Sequence, residues 1–383
     1  MINSSPPIGI YIHIPFCLSK CYYCDFYSLP LLDPIILEQY TLSIISELKL
    51  RKAENYGPFA SIYLGGGTPS LLRPTQVERI LESVFANYRP YGEPEISMEV
   101  NPATVNLQDL KDLRSIGINR LSIGVQSFSD AELKTLGRIH SGPEASEILG
   151  DVKKAGFDNF NIDLIYGLPC QTLSGWQENL RLAVDFNPQH ISAYLLQLDE
   201  STPLARRINE GTISLLDDEL EASMYYATLD YLKGQGYSHY EISNFARPNY
   251  ECCHNKIYWQ CREYLGIGAG AVSFNGTQRI LNKPPVETYI EELLADRPAS
   301  IEILEDMDYR HKVADAIIMG LRLAKGINRE EFCHRFGIDI LEDYHDVIQA
   351  CRMQGLLEIK NDYIYLTKKA YFLSNQVLSK FIA

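Results

Sequence analysis

The sequence lacks the features of a membrane-spanning or secreted protein. It contains no run of about 18 apolar residues that could cross a bilayer. Its first residues include neither a basic region nor an apolar segment with a cleavage site. Nine cysteines in 383 residues are too few for a fold built on disulfides. We therefore expect a cytoplasmic protein with no transmembrane segment, and peripheral contact with a membrane stays open.

Positive charge is also scarce. The chain has 35 Lys and Arg against 49 Asp and Glu, a net charge of −14. A protein whose main partner is nucleic acid usually carries a basic surface, so no nucleic-acid partner is expected. Hydrophobic residues make up 46% of the chain, which is enough for a large core, and its length predicts two or three domains.

The first 200 residues alternate short strands with amphipathic helices. Strands are predicted at residues 8–14, 61–64, 95–100, 120–125, 159–164 and 190–196. Helix signals agree with this pattern: Asn106 precedes a helix that ends at Gly117, Ser129 one that ends at Gly137, and Pro143 opens one that ends at Gly156. Six βα units in succession predict an α/β fold with a parallel sheet, either doubly wound or of the TIM-barrel type.

The predicted strands have one apolar face and one polar face. In residues 8–14 the isoleucines occupy every even position, which leaves Tyr11 on the other face. Glu99, Gln126 and Asp163 alternate with apolar residues in the same way. Strands of an ordinary parallel sheet are buried on both faces. The alternation therefore predicts a partial, open (βα)6 barrel of the TIM type with a polar interior that holds a ligand. A solvated sheet face is the alternative.

The pattern changes after residue 200, so we predict a barrel core at 1–200 and a barrel extension at 201–305. Residues 306–383 show helices and then a hairpin at 356–367, which predicts a small winged-helix-like domain. This segment contains eleven Lys and Arg and eleven Asp and Glu. Because its charge is balanced, we expect this domain to act as a lid or to bind a partner, and not to bind nucleic acid.

Cys17, Cys21 and Cys24 form a CxxxCxxC loop directly after the first predicted strand. Core packing does not explain three cysteines within eight residues. Structural zinc commonly takes two distant ligand pairs, and this triplet has no such second pair. Cysteine thiolates hold iron–sulfur clusters. The spacing favours a [4Fe–4S] cluster with one iron open to another ligand, and zinc or coincidence are the alternatives.

A glycine-rich loop, GGGTPS at residues 65–70, follows the second predicted strand. It lacks the lysine of a Walker A loop, and a serine replaces the last glycine of GxGxxG. Consecutive glycines let the backbone approach a ligand closely. A plain tight turn explains this loop equally well when it is taken alone. Its place beside the cysteine loop favours a cofactor site.

The two loops together resemble those of radical S-adenosylmethionine (SAM) enzymes. In that superfamily the open iron binds the amino and carboxylate groups of SAM. Further motifs resemble the oxygen-independent coproporphyrinogen III oxidase (dehydrogenase) group with its HemW-type haem chaperone branch, and the likeness spans almost the whole chain. These motifs are EVNP (99–102), GVQSF (124–128), LGRIHS (136–141), DLIYGLP (163–169) and the C-terminal helical segment.

The resemblance implies which residues contact SAM. They are Tyr11, Tyr23, Gly66, Gly67, Thr68, Glu99, Gln126, Arg138 and Asp163. Such a site needs acceptors for the ribose hydroxyls and a cation near the carboxylate, and this set supplies both. The alternatives are that Glu99 and Asp163 are buried carboxylates paired with Arg138, or that Arg138 caps the preceding helix.

Two features separate this chain from the porphyrinogen enzymes, whose motif is CxxxCxxCxC. Phe26 stands where that motif has its fourth cysteine, and HNKIYW at residues 254–259 resembles the HNxxYW signature of the chaperone branch. The resemblance implies haem contacts at His254, Cys252 and Tyr258. A satisfied core histidine is the alternative. A zinc site is a further alternative, formed by Cys252, Cys253, His254 and Cys261.

These features favour a haem chaperone that binds a [4Fe–4S] cluster, SAM and haem, and passes haem to an apo-haemoprotein. The alternative is a coproporphyrinogen III dehydrogenase, an enzyme of porphyrin biosynthesis that takes a porphyrinogen as substrate. A third possible function is nucleic-acid binding by a module in the C-terminal domain. Whether the chain is an enzyme stays open at this point.

Overall fold

The computed structural model describes residues 6–31 and 33–382; Met1 to Ser5 of the predicted first domain, Leu32 and Ala383 lie outside them. The strands are β1 (Ile8–Ile14), β2 (Phe16–Cys17), β3 (Leu29–Pro30), β4 (Phe59–Gly66), β5 (Pro90–Val100), β6 (Arg120–Gln126), β7 (Phe160–Tyr166), β8 (His190–Leu195), β9 (Ser238–Glu241), β10 (Asn244–Ala246), β11 (Tyr264–Ile267), β12 (Val272–Phe274), β13 (Gln278–Asn282), β14 (Ile301–Asp306), β15 (Ile327–Asn328), β16 (Leu357–Lys360) and β17 (Tyr363–Leu366).

The helices are α1 (Ile35–Arg51), α2 (Pro74–Asn87), α3 (Leu107–Ser115), α4 (Asp130–Leu136), α5 (Gly142–Lys154), α6 (Leu173–Asp185), α7 (Pro203–Asn209), α8 (Asp218–Gly234), α9 (Cys253–Trp259), α10 (Val286–Leu294), α11 (Tyr309–Arg322), α12 (Arg329–Phe336), α13 (Ile340–Asp343), α14 (His345–Met353), α15 (Lys368–Tyr371) and α16 (Ser374–Leu378). Within the described residues, none of them is both long enough and apolar enough to span a membrane.

Strand order decides between the two predicted kinds of sheet. β1, β4, β5, β6, β7 and β8 are parallel neighbours in chain order. A doubly wound sheet reverses its order at a switch point. A sequential order instead places the crossover helices on one side, because these connections are right-handed. The six βα units therefore form the wall of a (βα)6 barrel, as predicted.

The barrel is open because other strands extend both edges of its wall. β11 runs parallel to β1 and leads through β12 and β13 to β14, while β10 pairs antiparallel with β8 and is followed by β9. The main sheet thus continues beyond residue 200. The predicted domain boundaries at residues 200 and 305 stay predictions.

The two faces of the barrel strands follow the predicted alternation. The apolar side chains, such as Ile10, Ile62 and Ile162, are fully buried in one large core beneath the helices. The polar side chains on the other face are buried or half-buried: Ser122 is 4% exposed and Asn161 is 2% exposed, while Glu99 and Asp163 are half-buried. A solvated sheet face, the alternative, is therefore wrong.

The capping residues in the sequence predicted most helix ends correctly. The side chain of Asn106 accepts hydrogen bonds from the first turn of α3, and Gly137 ends α4 in the left-handed conformation. Ser129 precedes α4, but its side chain makes no capping bond. The cap of α5 is Ser141, one residue before the helix, and Pro143 lies inside its first turn.

The segment after residue 200, where the βα pattern changes, is also built of regular elements. It contains the 17-residue helix α8 and strands β9 to β14, which join the main sheet. These strands have only three to six residues, and every residue of β14 is exposed, so they carry no clear alternation.

The C-terminal residues form the predicted winged-helix-like domain. Along the chain, α11, β15, α12, α14, β16 and β17 follow one another, and the small sheet has the order β15-β17-β16. Tyr344 separates the short helix α13 from α14. The domain has its own apolar core, and its backbone joins the barrel where Ala324 N donates to Tyr240 O at 2.9 Å.

Candidate cofactor site

The barrel encloses a cavity of about 1270 Å³. It opens at the carboxyl ends of the parallel strands, where barrels of this type bind their ligands. The cysteine loop, the glycine loop, helix α9 and the C-terminal domain all contribute to its lining. The fold therefore brings together segments that are more than 300 residues apart in the chain.

The cysteine loop is fixed at both of its ends. β2 pairs with β3, and Leu31 N donates to Cys17 O at 2.8 Å. In the middle of the loop, Tyr22 N donates to Leu136 O at 2.9 Å, and the Tyr22 ring covers Gly137. These contacts hold Cys17, Cys21 and Cys24 at the lining of the cavity, as predicted for a cluster loop.

Hydrogen-bond donors face two of the three sulfurs. Thr68 Oγ1 donates to Cys17 Sγ at 3.5 Å, and Arg138 Nη1 donates to Cys21 Sγ at 3.4 Å. Cysteine sulfurs are the ligands that hold iron–sulfur clusters, and these two donors fix the positions of two of them.

The described residues hold no group of three or more His, Cys, Asp or Glu side chains that could bind a single metal ion. A cubane cluster needs no such convergence, since each thiolate binds a different iron atom. The three cysteines therefore fit a [4Fe–4S] cluster better than one zinc ion.

Two glycines let the end of β4 approach the chain after β1. Gly66 has φ +114°, and a Cβ there would lie 2.5 Å from Cε1 of His13. A Cβ on Gly67 would lie 2.7 Å from the carbonyl oxygen of Phe16. A larger residue at Gly67 would push the glycine loop away from the start of the cysteine loop, and one at Gly66 would clash with the His13 ring, so both glycines are needed for this close approach.

Glu99 lies on the inner face of β5 beside the glycine loop. It accepts hydrogen bonds from the Tyr63 hydroxyl at 3.0 Å and from Gly66 N at 3.1 Å. Burial, together with the negative charge of Asp163, raises the pKa of Glu99 to about 7. Its carboxyl group thus titrates near neutral pH and faces the cavity.

Asp163 lies on β7 and also lines the cavity. It accepts hydrogen bonds from the Ser122 hydroxyl and from Asn161 Nδ2, both at 2.8 Å. Burial raises the pKa of Asp163, and these hydrogen bonds act in the opposite direction. The partners found for Glu99 and Asp163 are hydroxyl, amide and backbone groups, so the alternative of carboxylates paired with Arg138 does not describe this site.

Arg138 links the cysteine loop to β6. Its Nη2 donates to Gly124 O at 2.8 Å, while its Nη1 contacts Cys21. Gly124 belongs to a strand, so Arg138 does not cap the helix that precedes it, which was the alternative. Its Nε is buried without a partner, and its cation faces the cavity. A carboxylate ligand would satisfy this donor.

The remaining predicted SAM residues are divided between the cavity and its surroundings. Tyr23 and Thr68 line the cavity, and so does Gln126, whose backbone has the left-handed φ of +66°. Tyr11 is not part of the lining. Its hydroxyl is 2.9 Å from Nδ1 of His13, which in turn packs against Gly66.

Of the predicted haem residues, only Tyr258 lines the cavity. His254 is 1% exposed, with Nδ1 2.8 Å from Ser61 Oγ and Nε2 2.9 Å from the Tyr258 hydroxyl. Burial lowers the pKa of His254 to about 3, so its ring is neutral. Both of its ring nitrogens already have hydrogen-bond partners, as in the alternative of a satisfied core histidine.

Cys252 lies at the start of α9, away from the cavity lining. Its thiol donates to Glu95 at 3.5 Å, and the backbone N–H groups of Cys253 and His254 donate to the same carboxylate. Burial raises the pKa of Cys252 to about 12. The Cys261 thiol instead contacts Asp315 at 3.3 Å, so these cysteines do not form the alternative zinc site.

Sequence reasoning missed several polar residues that line the cavity: Tyr194, Glu241, Asn244, Arg279 and Arg322. They lie at the end of β8, in the predicted barrel extension at 201–305, or in the C-terminal domain. Trp259 also lines the cavity, and its place in HNKIYW was the one available signal. Nothing in the sequence around Arg322 indicates that it reaches the barrel.

Comparison with known proteins identifies the family. Residues 11–183 match the radical SAM superfamily, and residues 308–373 match the HemN C-terminal domain. The haem chaperone HemW of Escherichia coli is 35% identical over 384 residues, covering 99% of each chain. HemW of Lactococcus lactis is 34% identical over 376 residues, covering 98% of this chain and 97% of the relative. The chain belongs to the HemW family of radical SAM proteins.

The HemW family assignment agrees with the fold. Coproporphyrinogen III oxidase (HemN) of E. coli, a radical SAM enzyme, superposes with a TM-score of 0.85 at 23% identity, covering 99% of this chain and 91% of that one. Radical SAM proteins bind a [4Fe–4S] cluster and SAM. The matched segment contains the cysteine loop, the glycine loop and the polar residues of β5 to β7.

Proposed function

We propose that this HemW-family chain binds haem in its barrel cavity and delivers it to an apo-haemoprotein in the cytoplasm. One observation carries the proposal: Tyr258 and Trp259 of the HNKIYW segment line the same cavity as the three cysteines. Full-length similarity to proteins named haem chaperones supports it. Tyr264 and Phe274 add further aromatic surface, which suits a flat porphyrin.

The proposal assigns the cofactor sites as follows. Cys17, Cys21 and Cys24 would each hold one iron of the cluster, which when reduced supplies an electron to SAM. The SAM contacts would come from Tyr11, Tyr23, Gly66, Gly67, Thr68, Glu99, Gln126, Arg138 and Asp163. In this arrangement Arg138 pairs with the SAM carboxylate, and the buried carboxyl groups accept hydrogen bonds from the ribose hydroxyls.

His254 and Cys252 keep a place in the proposal as haem-binding residues, and the geometry suggests how His254 would act. Its Nε2 is 2.9 Å from the hydroxyl of Tyr258, a residue that lines the cavity. To bind haem iron directly, the His254 ring would first have to break its hydrogen bond with Ser61 or with Tyr258. Cys252 would have to leave Glu95 in the same way.

A second candidate function is that of a coproporphyrinogen III dehydrogenase. The observation that favours it is the set of polar side chains at the cluster end of the cavity, which would serve SAM chemistry equally well. Phe26 speaks against it, because it stands two residues after Cys24 and its exposed ring lines the cavity where a further thiol would be.

The deciding experiment is anaerobic reconstitution followed by two assays. In the first, haem is titrated into the protein and followed by its Soret band, and the complex is then mixed with an apo-haemoprotein. We expect uptake, and transfer faster than from haem on serum albumin. Failure to take up haem would refute the chaperone function.

The second assay supplies coproporphyrinogen III, SAM and a reductant. We expect no protoporphyrinogen IX, and its formation would establish the dehydrogenase instead. Cys21→Ala, which cannot hold a complete cluster, is the control for any cluster-dependent product.

A further inference from the structure

Arg322 lines the cavity and forms no salt bridge with the residues that the structure describes. It ends α11 of the C-terminal domain, and its guanidinium lies 5.6 Å from the ring centre of Trp259. Nη2 donates to Asn375 Oδ1 at 3.3 Å, a neutral acceptor, and Nε is buried with no partner. Burial lowers the pKa of Arg322, and the nearby Glu241 carboxyl group acts in the opposite direction without forming a salt bridge.

The other two arginines that line the cavity have anionic partners or thiols. Arg279 is bound by Glu305 and, at 2.8 Å, by Asp315. Arg138 contacts Cys21 and Gly124 at the cluster end. Within the described part of the chain, Arg322 is thus the one arginine away from the cluster end of the cavity that forms no salt bridge.

Three further polar atoms near Arg322 are buried and unpartnered. They are Nε1 of Trp259, Oε1 of Glu241 and Oδ1 of Asn244, and all three residues line the cavity. Glu241 is 1% exposed and Asn244 is 3% exposed. Buried polar groups almost always have hydrogen-bond partners. Of these groups, the N–H donors of Arg322 and Trp259 indicate a ligand that carries an acceptor, whereas the two oxygens need a donor.

We propose that Arg322 and the indole N–H of Trp259 bind a propionate carboxylate of the tetrapyrrole ligand. This inference rests on the proposed haem-binding function and adds the group that the protein recognises. A guanidinium and an N–H donor on one wall suit a carboxylate, which accepts several hydrogen bonds. The porphyrin plane would then lie against the aromatic side chains of Tyr258 and Tyr264, which also line the cavity.

Glu241 is compatible with a carboxylate at this position. Burial raises the pKa of its carboxyl group to about 7, so a neutral form that can donate a hydrogen bond is accessible. The proposed subsite lies where the two cores meet, since Leu323 pairs with Glu241 through the backbone. Trp259 comes from the barrel side and Arg322 from the C-terminal domain.

The test compares ferric haem with its dimethyl ester, which has no free carboxylate. Both are titrated in the same detergent into the reconstituted full chain. We expect wild-type protein to bind the free acid roughly 10- to 100-fold more tightly than the ester. Arg322→Gln should remove this preference and leave the affinity for the ester unchanged. Arg352→Gln, which changes an exposed arginine of α14, is the matched control and should keep the preference.

Each outcome decides the inference. Equal binding of acid and ester by the wild-type chain would overturn it, and so would an Arg322→Gln variant that still prefers the acid. If that variant does not fold, Trp259→Phe replaces it, because this change removes the N–H and should also reduce the preference. If the wild-type chain binds neither ligand, the proposed haem function itself fails, a result distinct from the loss of carboxylate selectivity.

Discussion

Nε2 of His254 and the hydroxyl oxygen of Tyr258 are 2.9 Å apart, one helical turn from each other on α9. The spacing of the first and fifth letters of HNxxYW is therefore the spacing of two neighbours on one helix face. The other ring nitrogen of His254 bonds to Ser61 of β4. The motif thus ties a short helix to the barrel wall and directs Tyr258 toward the cavity.

Replacing His254 with alanine should weaken haem binding and spare the cluster. Ser61 and Tyr258 would lose a buried partner, so the free energy of unfolding should fall by about 1–3 kcal/mol. Haem titration, iron analysis and urea unfolding measure the three effects. Tyr258→Phe is the matched variant: if His254 acts through Tyr258, it should reproduce the loss of haem affinity. An unchanged haem affinity in His254→Ala would remove this residue from the haem site.

Replacing Cys21 with alanine should abolish the [4Fe–4S] cluster and leave a folded protein. One iron would lose its thiolate, and Arg138 would lose a contact at 3.4 Å. Iron content and the broad visible absorbance after anaerobic reconstitution are the measurements. Cys333→Ala, at an exposed position of α12, should keep the full iron content. A Cys21→Ala protein with four irons per chain would contradict the cluster assignment.

Replacing Gly66 with alanine should impair SAM binding. The new Cβ would lie 2.5 Å from the His13 ring and would require a φ that alanine rarely adopts. We expect loss of stability on the order of 1–3 kcal/mol and weaker SAM binding by equilibrium dialysis. Gly150→Ala, in α5 with open space around its Cα, should be neutral or slightly stabilising. Normal SAM affinity in Gly66→Ala would show that this loop does not contact the cofactor.

Glu99 should make the cofactor-free protein less stable as the pH rises. Its pKa is about 7 in the folded chain against an ordinary value of 4.5, so the folded state binds the proton more tightly. Below pH 4.5 Glu99 is protonated in both states and does not change the free energy of unfolding. Between pH 4.5 and 7 it ionises in the unfolded chain but stays largely protonated in the folded one, so the folded state loses relative stability. Above pH 7 the buried charge lowers the free energy of unfolding by up to roughly 3 kcal/mol.

The measurement is the difference in unfolding free energy between Glu99→Gln and the wild type. Relative to the wild type, Glu99→Gln should become more stable as the pH rises from 5 to 8. Glu241, whose pKa is also raised to about 7, is present in both proteins and cancels. A difference that does not change with pH would show that Glu99 titrates normally.

The sequence by itself determined the parts of this protein that depend on local chemistry. Alternation in residues 8–14 fixed which side of β1 is apolar, because side chains of a strand point alternately to its two faces. The spacing of Cys17, Cys21 and Cys24 predicted a cluster loop, and the glycines before Thr68 marked the chain that packs beside it. Both loops follow strands that are neighbours in the barrel, so they could be expected to meet.

Only the tertiary structure decided which distant residues share the cavity. Arg322 reaches it because the C-terminal domain docks on β9 through Leu323 and Ala324, a contact between segments about 80 residues apart. His254 stands next to a cavity residue in sequence, yet its ring turns into the core toward Ser61. Neither contact could be predicted from the neighbouring sequence. Burial and hydrogen-bond partners depend on which elements pack together, and packing is a property of the whole fold.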